Sequence, residues 1–309
     1  MNGLGVLVVL VVVPAIAILV AVLYFHRVPV DRPPVGLYTV RDVAVVMTVV
    51  VLLPVLYVAL PDLAVATALG LMTVLAVQFT LAPLLSGRVA LGVAAAAGAV
   101  DVAFVVTGLS TPAVVWNDLL LLVLVVGMTN LYVQSGIRAR DVAVFGMLLA
   151  GYDFVATTVL PTMDDLLRKT IALPFAPVLT GPGSTVIGLG DVLMLTLWTL
   201  VSLKAFGRAA AWLAAGTALA LTAGLALALH TGLLTGLFPV MVAAGPLMTV
   251  QYLSWRRLRG PERTTASYRG LAAVSDATIP SVETVVEHLT DRLRDLEPHL
   301  PPTRNSHVG

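Results

Sequence analysis

Runs of about 20 apolar residues, each long enough to cross the hydrocarbon of a bilayer, recur almost from end to end of this 309-residue chain. They fall at 3–24, 43–60, 63–85, 89–110, 113–134, 141–160, 184–206, 209–230 and 236–254, which predicts nine transmembrane helices. Inside a bilayer every backbone N–H and C=O must be bonded within the protein, so the predicted fold class is an all-α polytopic membrane protein. Composition agrees: 11% of the residues are charged and 59% hydrophobic, where soluble domains carry roughly 25% charged residues. No basic residue precedes the first run, and it exceeds the roughly 7–15 apolar residues of a cleaved signal peptide. It is predicted to stay as the first span.

Basic residues orient the spans. Connections after odd-numbered spans hold Arg27, Arg32, Arg41, Arg88, Arg138, Arg140, Lys204 and Arg208, and the segment after span nine adds Arg256, Arg257 and Arg259. The opposite face holds Arg168 and Lys169, beside Asp164 and Asp165. The positive-inside rule then places the N-terminus outside and the C-terminus in the cytoplasm of a cell-membrane protein. Residues 1–255 form the predicted nine-helix core. From 256 to 309 the chain turns charged and proline-bearing, and Val282, Val285, Val286, Leu289, Leu293 and Leu296 repeat at helical spacing. That tail is predicted to carry a short amphipathic helix over about 281–296.

Several function classes are excluded by what is missing. The chain has no cysteine, hence no thiolate chemistry, and of its five histidines only His230 lies near a span. No metal site and no cofactor are expected. A formal net charge of +1 gives no argument for a nucleic-acid partner. The His-Glu-x-x-His pattern of zinc proteases is absent, as is Gly-x-Ser-Gly. No internal repeat of the kind seen in many transporters is present.

Two acids stand where hydrocarbon is expected: Tyr152-Asp153 in span six, and Gly188-Leu189-Gly190-Asp191 in span seven. A carboxylate at the bilayer centre costs roughly 3 kcal/mol or more. Each acid lies about seven residues from the same end of its span, so antiparallel neighbours bring the two to one depth, roughly 10 Å below the outer edge. Gly188 and Gly190 are expected to let helices approach closely. A single buried acid is often a structural hydrogen-bonding residue, but neither span holds a basic partner at that depth. Paired carboxyls share one proton. The ionised member can then take a proton from an attacking water while the protonated member bonds the carbonyl oxygen.

These residues resemble the presenilin and signal peptide peptidase family of intramembrane aspartyl proteases, archaeal homologues included. That family has nine helices, with Tyr-Asp on the sixth and Gly-x-Gly-Asp on the seventh. The resemblance implies a presenilin-like fold over about 1–255, Asp153 and Asp191 as catalytic residues, and Tyr152, Gly188, Leu189 and Gly190 as their support. The family's Pro-Ala-Leu motif is represented by Pro239-Val240-Met241, with two of three positions changed, or by Gly245-Pro246-Leu247. The former is the better placed to position substrate. The implied partners are the lipid bilayer and a membrane helix or leftover signal peptide whose N-terminus is cytoplasmic. The resemblance also implies that the breaker-rich connection 161–183, with Pro161, Pro174, Pro177 and Gly181-Pro182-Gly183, pairs with unwound substrate. It assigns no oligomeric state.

Two other readings stay open. In a proton- or cation-coupled transporter, Asp101, Asp118, Asn117, Asn130 and Gln134 would mark a polar path; interhelical hydrogen bonding is the ordinary alternative for each. In a prepilin-peptidase-like enzyme Gly-x-Gly-Asp also occurs, but usually with a lysine after it, and here Val192 follows Asp191.

Overall fold

The computed structural model describes residues 8–30, 40–158, 162–180, 186–234, 238–268 and 270. The chain divides into two units, Met1–Thr265 and Ala266–Gly309. The amphipathic segment 281–296 lies outside the described residues.

Among the described residues, eight helices are long and apolar enough to cross a membrane. The protein is therefore an all-α, multi-pass membrane protein. A π-helical turn, Val8–Val12, runs directly into α1 (Val13–Arg27), with Pro14 just past the point where the two join. There follow α2 (Val40–Ala59), α3 (Asp62–Leu81), α4 (Gly87–Val106), α5 (Ser110–Ser135) and α6 (Ala139–Thr158). A short helix α7 (Thr162–Thr170) and a two-stranded antiparallel sheet, β1 (Val178–Thr180) with β2 (Val186–Gly188), precede α8 (Leu189–Phe206) and α9 (Arg208–His230). Last come α10 (Val240–Arg259) and the single turn α11 (Thr265–Tyr268). The predicted ninth span coincides with α10, which is long enough but falls outside the eight. Pro246, Gln251, Arg256 and Arg257 dilute its apolar character.

The centre of the first unit is α8, which packs against α1, α5, α6, α9 and α10. Nearly every residue from Val192 to Phe206 is apolar or a small hydroxyl, and almost all are buried. A helix apolar all round belongs in the interior. The outer helices turn Leu19, Val55, Val106 and Trp212 outward, as a lipid-facing surface requires.

Close backbone approach, and not bulk, fixes the neighbouring pairs. A Cβ added to Gly245 would lie 2.3 Å from the Gly146 carbonyl oxygen and 2.9 Å from the Ala150 Cβ, so α10 and α6 meet backbone to backbone. Thr249 Oγ1 donates to the Ala143 carbonyl at 3.4 Å further along the same seam. Small residues make such contacts possible in membranes, where dispersion between helices replaces the hydrophobic drive. On the other side, a Cβ on Gly127 of α5 would fall 1.6 Å from Thr80 Oγ1 of α3. Tyr24 of α1 donates its hydroxyl to the Thr80 carbonyl at 2.7 Å, tying three helices at one point.

Polar side chains inside the bundle finish backbone groups that helices leave open. Asn130 Nδ2 donates to Ala21 O at 3.1 Å. Gln134 Nε2 donates to Val28 O at 3.0 Å, and its Oε1 accepts from the Val30 N–H at 2.9 Å. Gln134 holds the exit of α1, and Asn130 bonds a carbonyl within that helix. Lys204, read from the sequence as a loop cation, is instead inside α8 and 2% exposed. Its ammonium donates to the Val133 carbonyl at 3.3 Å and to that of Ile137, where α5 ends. A lysine this engaged is not a free loop charge, and it leaves the tally of basic residues.

The first unit runs to Thr265, beyond the predicted core boundary at 255, because residues 259–265 bond back onto α5, α6 and α8. Gly245→Val tests the α6–α10 seam. Its side chain has no space, so unfolding in detergent should occur with a stability loss of about 1–3 kcal/mol or more, the usual cost of overpacking. An unchanged thermal midpoint would contradict the seam.

Candidate active site

The sequence-predicted acids come together. Asp153 lies on α6, close to its end at Thr158, and Asp191 is the third residue of α8. Both line one cavity of about 700 Å³, together with Tyr152, Gly188, Leu189, Gly190 and Met241. The remaining wall is apolar, from α2, α3, α5, α6 and α8, with Val46, Leu75, Phe79, Met128, Phe145 and Leu197 among its members. Among the described residues, no Lys, Arg or His lines it.

Each acid is held by the start of a helix. The first turn of a helix presents N–H groups without intrahelical partners and the positive end of the helix dipole. Pro239 is the N-cap of α10 and makes no side-chain cap. Asp153 supplies one from another helix, its Oδ2 accepting from the Met241 N–H at 3.2 Å. Asp191 lies three positions after Gly188, the N-cap of α8, with its carboxyl turned back toward that cap.

Gly188 has a role different from the one its sequence suggests. It does not bring helices together, since it ends β2, with φ −63° and ψ 138°. A Cβ there would stand 3.0 Å from Asp191 Oδ2. The missing side chain makes room for the carboxyl. At Gly190 a Cβ would meet nothing within 4 Å, in keeping with its place on the cavity wall. Helix packing by glycine occurs at Gly146 and Gly245 instead. The alternative Gly245-Pro246-Leu247 lies within α10, and none of the three residues lines the cavity. Pro239-Val240-Met241 lies at the acids, with Val240 and Met241 buried. The donor role of the Met241 N–H was invisible in sequence, because a backbone group carries no residue signature.

The approach to Asp191 also differs from the predicted one. The apolar run predicted as helix from 184 is extended over Val186–Gly188, and α8 begins only at Leu189. Asp191 therefore sits in a first turn and not two turns into a helix. The connection 161–183 is partly ordered as α7 and β1; Pro161 and 181–183 lie outside the described residues. Strand β1 pairs with β2 in the register Val178 to Gly188, Leu179 to Ile187 and Thr180 to Val186.

The acids and amide that suggested a transport path hold this sheet. Asp118 Oδ1 accepts from the Thr180 N–H at 3.0 Å. Asn117 Nδ2 donates to Ala176 O at 3.1 Å and Val178 O at 3.4 Å. Asp101 Oδ2 accepts from the Phe175 N–H at 2.9 Å. Phe175 itself has φ +61°, and its ring fills the space left by Gly70, where a Cβ would lie 2.7 Å away. None of these three polar residues lines the cavity of the acid pair. Among the described residues no cluster of three or more His, Cys, Asp or Glu forms a metal site, and His230, at the end of α9, does not line the cavity.

The two glycines give predictions of opposite sign. Gly190→Ala fills open space in a helix and should raise stability by up to about 1 kcal/mol. Gly188→Ala crowds Asp191 and should lower it by about 1–3 kcal/mol. Thermal unfolding of both variants in detergent reads the difference, and equal shifts would refute the carboxyl-over-glycine arrangement. Neither family models, nor curated proteins, nor solved structures provide a match to this chain.

Proposed function

We propose that the protein is an intramembrane aspartyl endopeptidase of the Gly-x-Gly-Asp type, similar to presenilins and signal peptide peptidases, with α10 as the ninth span of a presenilin-like fold. One observation carries the reading: Asp153 and Asp191 line a single large apolar cavity that, among the described residues, no basic side chain lines. Two carboxyls with no cation to neutralise them are stable together when they share a proton. That state is the working state of aspartic proteolysis.

In the proposed reaction the ionised carboxyl takes a proton from a water whose oxygen attacks the scissile carbonyl carbon. The protonated carboxyl donates its proton to the carbonyl oxygen, giving a tetrahedral diol. Collapse of the diol returns one hydroxyl proton to a carboxylate and passes a proton to the amide nitrogen as the C–N bond breaks. One water is consumed, and the products are a carboxylic acid and an amine. Helix starts facing both aspartates favour the negative charge that the pair must always carry.

The substrate class follows from the cavity wall, which suits an apolar membrane helix or leftover signal peptide. Such a helix must unwind before its carbonyls are accessible. The two-stranded sheet beside Asp191 has an outer edge, and an extended substrate strand added there would continue main-chain pairing up to the acids. With Lys204 set aside, the loop charges still favour an outside N-terminus and a cytoplasmic C-terminus in a cell membrane. A transporter reading has less support, because Asp101, Asn117, Asp118, Asn130 and Gln134 are engaged with backbone groups of other segments.

Purified protein should cleave a reporter membrane helix in detergent, and Asp153→Asn or Asp191→Asn should each reduce cleavage to background. A hydroxyl-bearing mimic of the tetrahedral diol should bind the wild type and raise its thermal midpoint. Near-normal cleavage in both variants would refute the proposal, as would a wild type that binds no mimic and cuts no helix in either orientation.

A further inference from the structure

The helices bearing Asp153 and Asp191 run antiparallel, and the ends far from the acids are held by two consecutive residues. Glu262 Oε2 accepts from the Ala139 N–H, the first of α6, at 2.6 Å. Arg263 bonds the other helix: its guanidinium donates to Leu203 O at 3.0 Å and Ala205 O at 3.4 Å, and its backbone N–H donates to Ala205 O at 3.2 Å. Around this pair, Arg259 donates to Phe206 O, and Thr265 Oγ1 donates to Val133 O at 3.4 Å. Residues 259–265 thus finish the open ends of α5, α6 and α8 together.

The charges match the ends they meet. A carboxylate sits at a helix start and a guanidinium at a helix finish, the favourable sense for both dipoles. The reverse assignment would be repulsive at both. Gly207, immediately after α8 with φ +92°, leaves the space that this arrangement uses: a Cβ there would stand 3.2 Å from Arg259 Nη1 and 3.4 Å from Arg263 Nη2.

The spacing along the helices connects this end to the acids. Asp153 lies 14 positions after Ala139, and Asp191 lies 14 positions before Ala205. At 1.5 Å per residue each span is about 21 Å, and 14 residues make nearly four whole turns. Anchored atom and acid therefore lie on nearly the same face of each helix, at equal height above a common base. Sliding or turning either helix at the base carries the same displacement to its carboxyl, because a packed helix moves as a rigid rod.

We propose that Glu262 and Arg263 are positioning residues that set the register of Asp153 against Asp191. The proposal rests on the protease reading only for its kinetic arm. Its structural arm uses the absence of cysteine in the chain: Tyr152→Cys and Gly190→Cys, carrying nitroxide labels, report the separation of the two helices beside the acids by pulsed electron resonance. Replacing both Glu262 and Arg263 by Ala should shift or broaden that distance. In the unlabelled protein the same change should lower kcat for a reporter membrane helix about tenfold to a hundredfold, since misplacement by ~1 Å can cost up to about 10²-fold, with KM little changed.

Glu262→Asp and Arg263→Lys should retain most of the rate. The exchange of charges, E262R with R263E, should be no better than the double alanine. Arg256→Ala, at the same end of α10, is the control expected to alter neither readout. If the double variant does not fold, Glu262→Gln, which keeps size and removes charge, carries both measurements. An unaltered distance together with an unaltered kcat overturns the register role, and so does full activity in the charge exchange. Altered distance in a protein that never cleaves, even as wild type, refutes the protease reading and leaves the register role standing. A lower kcat with an unmoved distance does the reverse.

Discussion

A carboxylate can remain in hydrocarbon only where something answers its charge, and in this protein the answer comes from backbone. Asp153 is met by the first turn of α10, and Asp191 turns back over Gly188, the N-cap of its own helix. A lysine or arginine in either place would form an ion pair instead. Helix starts stabilise negative charge without supplying a proton or blocking the carboxyl's second oxygen. That choice dictates much else. The starts of α8 and α10 must arrive at one level, α6 must bring its acid to meet them, and the three helices must be close enough for an N–H to reach a carboxyl.

Closeness is met by glycine on one seam and by burial on the other. Gly146 and Gly245 allow α6 and α10 to touch along their backbones, and the seam runs from Asp153 opposite Met241 to Ala143 opposite Thr249. On the other side α8 is enclosed by five helices and has little freedom to translate. The result is a rigid frame around a cavity whose outer wall is different. There α2, which is mostly exposed, packs on α6 and α7, and contributes Val43, Val46 and Val50 to the cavity.

Eight of the nine spans were legible in the sequence because hydrocarbon thickness imposes a length that composition cannot hide. The acid pair was legible because two unpaired carboxyls in apolar runs are expensive and rare. What escaped was everything encoded by proximity. Gly146 and Gly245 are two among 25 glycines, and nothing local marks them as partners. Lys204 stands at the end of an apolar run, as a loop lysine does, and only the fold shows it reaching the carbonyls of Val133 and Ile137. Strand β2 is three apolar residues directly before an apolar helix, so its sequence continues the hydrophobic run without a break. The helix start, and with it the first-turn position of Asp191, was displaced accordingly.

The polar residues that first suggested a transport path make sense once β2 is recognised. Asp191 is placed by Gly188, and Gly188 is the last residue of β2, paired opposite Val178 of β1. Strand β1 has one neighbour, so its other side must be fixed by something else. Asn117 and Asp118 of α5 bond Val178 and Thr180, and Asp101 of α4 bonds Phe175, three residues before the strand. Each is a side chain that costs free energy to bury, and each is repaid by a backbone group that would otherwise be buried unbonded. The path from Asp101 to Asp191 is thus an unbroken series of main-chain attachments. Removing Asp118 would free one edge of β1 without touching the cavity, and the disturbance would reach Asp191 through the sheet.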